Sequence, residues 1–269
     1  ADPTTGYGSV HYAYSIGKHE VTNAQYADFL NAVAATDTQG LYNTNMAGSY
    51  GGITRSGSSG SYTYATISGR ENMAVVYTGV ADALRFVNWL HNGQLSGAAG
   101  EASTESGSYD MSTNGPATRS AGATWVLPSE NEWYKAAYYH PASAGGDSDD
   151  YWLYATGGNT ITTAQANYWG NPFSYSGVCA VGTFASNYFG TFDMSGNAWE
   201  WTDTIESTAR VIRGGGWTYG ASSLESTNRA TGNPANETFA WGFRVAMVPG
   251  PAGAGVMALA ALGVRRRRN

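Results

Sequence analysis

The side chains best placed for chemistry lie in one short run, Asp193-Met194-Ser195-Gly196-Asn197-Ala198-Trp199-Glu200-Trp201. Asp193 and Glu200 bring carboxylates to the two ends of a glycine-containing turn. Gly196 frees the backbone there, so that carbonyl oxygens can point inward. Hard cations such as calcium take about six to eight oxygens from mixtures of this kind. The same two acids could instead cap turns and pair with arginines. Other chemistries find less support. His11, His19, His91 and His140 show no short ligand spacing. Cys179 is the single cysteine, in an apolar run over 178–181 with no Lys, Arg or His beside it to lower its pKa. It reads as a small buried residue. There is no Gly-x-Ser-x-Gly elbow, and Gly214-Gly215-Gly216 leads into Trp217 rather than the Lys-Ser/Thr pair of a phosphate loop.

These residues sit in a chain of 269 residues with 42% hydrophobic content, enough for one large domain with a real core. Only 13% of residues are charged, whereas 19 Tyr, 9 Trp and 36 Gly point to a loop-rich fold that buries large rings. The formal net charge is −6. Setting aside Arg265-Arg266-Arg267-Arg268 leaves 10 basic against 20 acidic residues. So acidic a body excludes nucleic acid as a partner and favours solubility outside the cell.

Residues 14–21 read as a strand leading into a helix. Thr22 and Gln25 form a capping box, and Tyr26, Phe29, Leu30 and Val33 recur at helical spacing. Residues 36–74, with the Gly/Ser-rich stretch 51–60, read as loop. A second helix starts near Thr78, carries Val80, Leu84, Val87 and Leu90 on one face, and stops at Asn92-Gly93. A third begins at Ser129, boxed with Glu132, and ends by His140-Pro141. Residues 141–191 read as loop, 241–246 as a closing strand, and 1–8 as an exposed N-terminal segment.

Taken in order, several motifs resemble the formylglycine-generating enzyme (sulfatase-modifying factor) family across residues 9–247. They are Glu20-Val21-Thr22-Asn23, Leu127-Pro128-Ser129-Glu130-Asn131-Glu132-Trp133, Phe192 through Trp201, Arg213-Gly214-Gly215-Gly216-Trp217, and Trp241-Gly242-Phe243-Arg244. Val126 stands where the family has Arg. The resemblance implies one α+β domain with a C-type-lectin-like core, few helices and short strands. It implies a calcium held by the Asp193 and Glu200 side chains and the Gly196 and Ala198 carbonyls. It also implies a second site at Asn167-Tyr168-Trp169, for which residues 170–180 offer no acidic partner. The family's oxidases hold copper on two thiolates. Alignment through Arg213–Trp217 puts Tyr219 and Leu224 at those positions, so copper is not expected and no catalytic residue is assigned.

The stretch 217–241 carries Trp217, Tyr219, Ser222, Asn228, Arg229, Asn233, Asn236 and Trp241. Tyr, Ser and Asn around aromatic anchors suit a recognition surface, and an ordinary polar loop suits them equally. Arg229 and Arg244 are expected to pair with acids inside the fold. At the C-terminus, Val248-Pro249-Gly250-Pro251, an apolar stretch over 252–264 and the Arg265–Arg268 cluster resemble a PEP-CTERM sorting signal, with Gly250 in place of the usual Glu. That segment, 248–269, implies export, transient membrane retention and cleavage by an exosortase-type enzyme. The N-terminus reads as a mature end after signal-peptide removal, or as an expression scar. The expectation is an exported, non-catalytic, calcium-stabilised binding or extracellular-matrix protein whose partner is a protein or glycan. The alternatives are a formylglycine-generating oxidase and a self-assembling structural subunit.

Overall fold

A computed structural model describes residues 1–112 and 116–250. The apolar stretch 252–264 and the arginine cluster of the expected sorting signal lie outside the described residues. No described helix is long and apolar enough to cross a membrane.

The described chain is a mixed α+β, loop-rich fold. In chain order it forms β1 (Ser15–Ile16), α1 (Asn23–Val33), β2 (Ile53–Ser56), β3 (Thr63–Thr66), α2 (Val80–His91), β4 (Trp125–Val126), α3 (Glu130–Tyr138), β5 (Trp199–Glu206), β6 (Ala209–Arg213), β7 (Ala230–Gly232), β8 (Trp241–Gly242) and β9 (Ala246–Met247). Both capping boxes form: Thr22 Oγ1 accepts from the Gln25 amide, and Ser129 Oγ accepts from the Glu132 amide. Each helix start is thereby fixed by a reciprocal pair of bonds that offsets otherwise orphaned N–H groups. The second helix begins at Val80, two residues later than the sequence suggests, and is capped at Asn92.

Three sheets follow. β9 lies between β1 and β4, β2 and β3 form a hairpin, and the largest sheet has the order β7-β6-β5-β8 with β8 parallel to β5. The hairpin overturns the reading of residues 51–60 as loop throughout. Ile53 is fully buried and pairs with Thr66, while the glycines Gly57 and Gly60, both at positive φ, sit beyond the strand ends in the turn. The closing strand divides into β8 and β9, because Phe243 and Arg244 between them turn into the interior. Likewise only Ser15–Ile16 of the expected first strand pairs. The N-terminal segment is docked rather than exposed: Asp2 is buried and accepts a hydrogen bond from the Tyr134 hydroxyl.

The main core forms where α1 and α2 pack together, α1 against the β2–β3 hairpin and α2 against β5 of the large sheet. Tyr26, Phe29, Phe86, Trp89 and Phe243 pack ring against ring, with centroid separations of 5.3–6.4 Å. Full burial of rings of this size contributes roughly 1.5–3 kcal/mol each. Trp199 and Trp201, the two tryptophans of the motif on β5, are core anchors. Gly232 lies beneath the Trp201 ring, where a Cβ would come within 2.6 Å of it.

Candidate functional site

The turn before β5 is built on left-handed backbone. Asp193 (φ 59°), Gly196 (φ 97°) and Asn197 (φ 60°) all lie in the region that Asp and Asn tolerate and Gly prefers. Any side chain at Gly196 would bring its Cβ within 2.5 Å of the Asn167 carbonyl oxygen. This coil carries Asp193, Asn197 and Glu200 into the interior, where they meet Glu20 from the approach to α1 and Arg244 from the β8–β9 link.

Arg244 holds the centre. Its Nε and Nη2 donate to the two Glu200 oxygens at 2.6 and 2.7 Å. Its remaining N–H groups reach the carbonyls of Gly17, Lys18 and Phe192. Trp133 Nε1 donates to Glu200 Oε2 at 2.8 Å. Glu200, expected from the resemblance to ligate calcium, therefore has both oxygens engaged by a guanidinium and an indole, which explains its complete burial. The alternative reading of this residue, pairing with an arginine, describes what it does. Arg229 is likewise engaged, between Glu130 and Glu206.

Around that pair lies a less satisfied set. Glu20 Oε1 accepts from Asn197 Nδ2 at 2.8 Å, while Glu20 Oε2 has no hydrogen-bond partner and lies 3.8 Å from Arg244 Nη2. Asp193 Oδ2 accepts from the Gly182 amide at 2.7 Å, and its Oδ1 is buried and unbonded. Asn167 Oδ1 is the same, although its Nδ2 donates to Gly177 and to Asn197 Oδ1. Buried orphans of this kind are uncommon and call for a partner. Burial, and then the Asp193 charge, push the Glu20 carboxyl well above the usual range. Burial raises Asp193 to about 6. Three acids thus share one guanidinium, and a proton or a cation must make up the difference. Cys179 borders this set: its N–H bonds to Asn197 Oδ1, and burial pushes its thiol up to about 12, which makes it inert.

Oxygens from Glu20, Asp193 and Asn167 suit a hard cation, while those of Glu200 already accept from Arg244 and Trp133. Among the described residues no three His, Cys, Asp or Glu side chains converge on one point, so such an ion would draw on amide and carbonyl oxygens as well. Tyr168 packs its ring with Tyr154 and Leu224, and its carbonyl accepts from the Asn171 amide. Ala198 is fully buried on the approach to β5. Glu20 had no sequence signal of its own beyond its place in Glu20-Val21-Thr22-Asn23. Its role comes from a partner far along the chain.

The segment 217–241 divides between interior and surface. Trp217 is buried, Trp241 is half-buried against Trp201 at 4.9 Å, and the carbonyl of half-buried Asn228 accepts from Arg213. Tyr219, Ser222, Asn233 and Asn236 are exposed. Asn233 caps its own turn through the Ala235 amide. Tyr219 is 44% exposed and lies two residues along the chain from buried Trp217. The amide of Trp169, which is 61% exposed, donates to the Tyr219 carbonyl. Tyr219 meets Trp199 edge-on at 5.7 Å. Tyr50 and Phe239, both partly exposed, close a triangle on Trp217 with centroids 5.0–5.5 Å apart. Tyr50, Trp169 and Phe239 were not legible as neighbours of Trp217 and Tyr219, because they come from three loops with no shared periodicity. Leu224, the other position aligned with a copper cysteine, is fully buried in an apolar cluster.

The comparisons agree with this architecture. Residues 8–248 match the model of the sulfatase-modifying factor enzyme 1-like domain. Two curated relatives are the serine/threonine-protein kinases Pkn1 of Chlamydia caviae and Chlamydia trachomatis, each 32% identical over 147 residues. The match covers 46% of this chain and only 22% of theirs. Among solved structures, Treponema denticola variable protein 1 superposes with a TM-score of 0.57 at 20% identity, over 88% of this chain and 84% of that one. CarF gives 0.58 at 21% identity, over 89% and 88%. PvdO from Pseudomonas aeruginosa gives 0.54 at 20% identity, over 88% and 82%. These likenesses concern the fold. With the family model matched along nearly all of its described length, the chain belongs to the sulfatase-modifying factor enzyme 1-like domain family.

Proposed function

We propose that this chain is an exported, non-catalytic binding protein on the sulfatase-modifying-factor scaffold, and that its aromatic face takes a glycan. The observation that carries the reading is the exposure of the Trp169 and Tyr219 rings, together with partly exposed Tyr50 and Phe239 packed on Trp217. Exposed rings held by a rigid frame offer flat apolar surface to the C–H faces of a sugar at small entropic cost. The acidic body suits solubility outside the cell, and the C-terminal motif supports anchoring before release.

Affinity electrophoresis through neutral polysaccharides tests this. Retardation of the native protein is expected, with a loss of about tenfold in affinity for Trp169→Ala and for Tyr219→Ala. Leu95→Ala, at another exposed apolar side chain, should behave as wild type. Absence of retardation in every polysaccharide would sink the glycan reading, and oxygen-dependent turnover of a cysteine peptide would restore the oxidase.

The reading includes calcium at the Asp193 turn, supported by the orphaned oxygens of Glu20, Asp193 and Asn167. An ion that binds only the folded state adds about 2.7 kcal/mol at a hundredfold excess over its Kd. At this chain length that corresponds to roughly 5–10 °C in Tm. Chelator should lower the unfolding temperature by about that amount, and Glu20→Gln with Asp193→Asn should abolish the difference. An unchanged Tm in chelator would count against the ion.

A further inference from the structure

The chain has only two lysines, Lys18 and Lys135, and both line one cleft of about 360 Å³. The cleft lies between the residues leading into β1, the middle of α3 and the loop at 189–191. Its volume falls at the small end of the range for small-molecule sites. No Asp or Glu lines it, although the protein as a whole carries a net charge of −6.

The described arginines are already committed. Arg55, Arg85, Arg119, Arg213, Arg229 and Arg244 pair with carboxylates. Arg70 and Arg210 donate to backbone carbonyls. Lys135 donates to the Val10 carbonyl at 3.1 Å and lies over the Tyr139 ring at 5.6 Å, on the side of a neighbouring cleft that holds Asp149 and Asp150. Lys18 is exposed, and its ammonium has neither a hydrogen bond nor an ion pair among the described residues. Glu132, the nearby acid, is fully buried and gripped by Arg119.

The walls suit a ring. Tyr12 and Phe189 line the cleft, and each is nearly half exposed overall. The Tyr12 hydroxyl is fixed on Glu132, and burial together with that acid pushes it up to about 12, so the phenol stays neutral. Ile16 and the Ala136 methyl complete an apolar floor, and Ser15 adds a hydroxyl at the rim.

We propose that this cleft is a second binding site, and that it takes an acidic sugar: a hexuronate whose carboxylate meets Lys18 while its C–H face lies on Tyr12 and Phe189. A neutral sugar would leave the ammonium unanswered. A purely aliphatic acid would leave the two rings uncovered. The site shares no lining residue with the aromatic face proposed above, so either can fail without the other.

The test is calorimetric titration of the intact chain with galacturonate and its short oligomers, with galactose and benzoate alongside. Galacturonate should bind and galactose should not. Lys18→Gln should weaken galacturonate binding at least tenfold, as expected for loss of a charge-assisted hydrogen bond, and Lys18→Arg should retain most of it. Raising salt from low to about physiological strength should weaken the wild type more than Lys18→Gln. Because Lys18 is exposed, both variants should melt like wild type. Equal binding of galactose, or binding unaffected by Lys18→Gln, would overturn the proposal. Benzoate binding as tight as galacturonate would overturn the sugar class. No heat with any of these ligands and no shift of Phe189 ring signals in a parallel NMR titration would remove the site altogether.

Discussion

Arg244→Met is expected to cost about 3–5 kcal/mol of stability, the range found when one partner of a buried ion pair is removed. The side chain is completely buried, clasps Glu200 through two parallel bonds and ties three backbone carbonyls from two separate loops. Methionine fills the volume and returns none of this, so a carboxylate stays in the interior beside Glu20 and Asp193 with no compensating charge. Domains have about 5–15 kcal/mol in total. Unfolding temperature should therefore drop by about 10 °C or more. Lysine should not rescue, since one ammonium cannot reproduce the fork. Adding Glu200→Gln to Arg244→Met should restore part of the loss, because the stranded charge is gone. Urea unfolding of the two single variants and the double would show it. A single-variant midpoint within error of wild type would mean that the pair contributes nothing.

Asp82 should make stability fall as pH rises. Its carboxyl lies in the first turn of α2, is 5% exposed, and accepts from the Gly79 amide at 2.8 Å. Burial raises it to about 8, and the neighbouring Glu237 charge adds to the effect. The Gly79 amide and Arg85 oppose the shift, Asp37 reinforces it, and Tyr26 on α1 is itself pushed up by burial and then by the Asp82 charge. The unfolded chain releases this proton near pH 4, at about 3.9. Between there and about pH 8 the folded state holds the extra proton, so stability is full below the lower value and is lost as pH climbs through the upper one. Each unit is about 1.4 kcal/mol, and the whole window amounts to several kcal/mol. Asp82→Asn should flatten that dependence and leave the variant more stable than wild type at pH 8. Glu20 and Asp193 push in the same direction, so the informative quantity is the difference in slope between variant and wild type. Parallel slopes would refute the assignment to Asp82.

What the sequence disclosed was local. Thr22 with Gln25 and Ser129 with Glu132 announce their helices within four residues, and Asn92-Gly93 ends one by the same short-range logic. The motif tryptophans proved to be anchors, since large rings on a half-polar strand have few other places to go. Long-range relations were hidden. Nothing in Ile53-Thr54-Arg55-Ser56 marks a strand until Thr63–Thr66 comes alongside. Glu20 comes to lie beside Asp193 and Glu200 is clasped by Arg244, because charge partners are chosen by topology rather than by spacing. The same holds for Trp169 and Tyr50, whose neighbours come from other loops.

The position of β9 between β1 and β4 has a consequence for biosynthesis. The earliest and the latest strands of the described chain are adjacent, and Arg244, which ties the loops around β1 to the interior, lies just ahead of β9. While a ribosome is still making the middle of the protein, neither β1 nor β4 has its partner and the Glu200 carboxylate has no counterion. The polypeptide cannot lock until residues 244–247 have emerged. Pairings so distant in sequence make such folding slow. Until that moment the nascent chain remains open to holding chaperones.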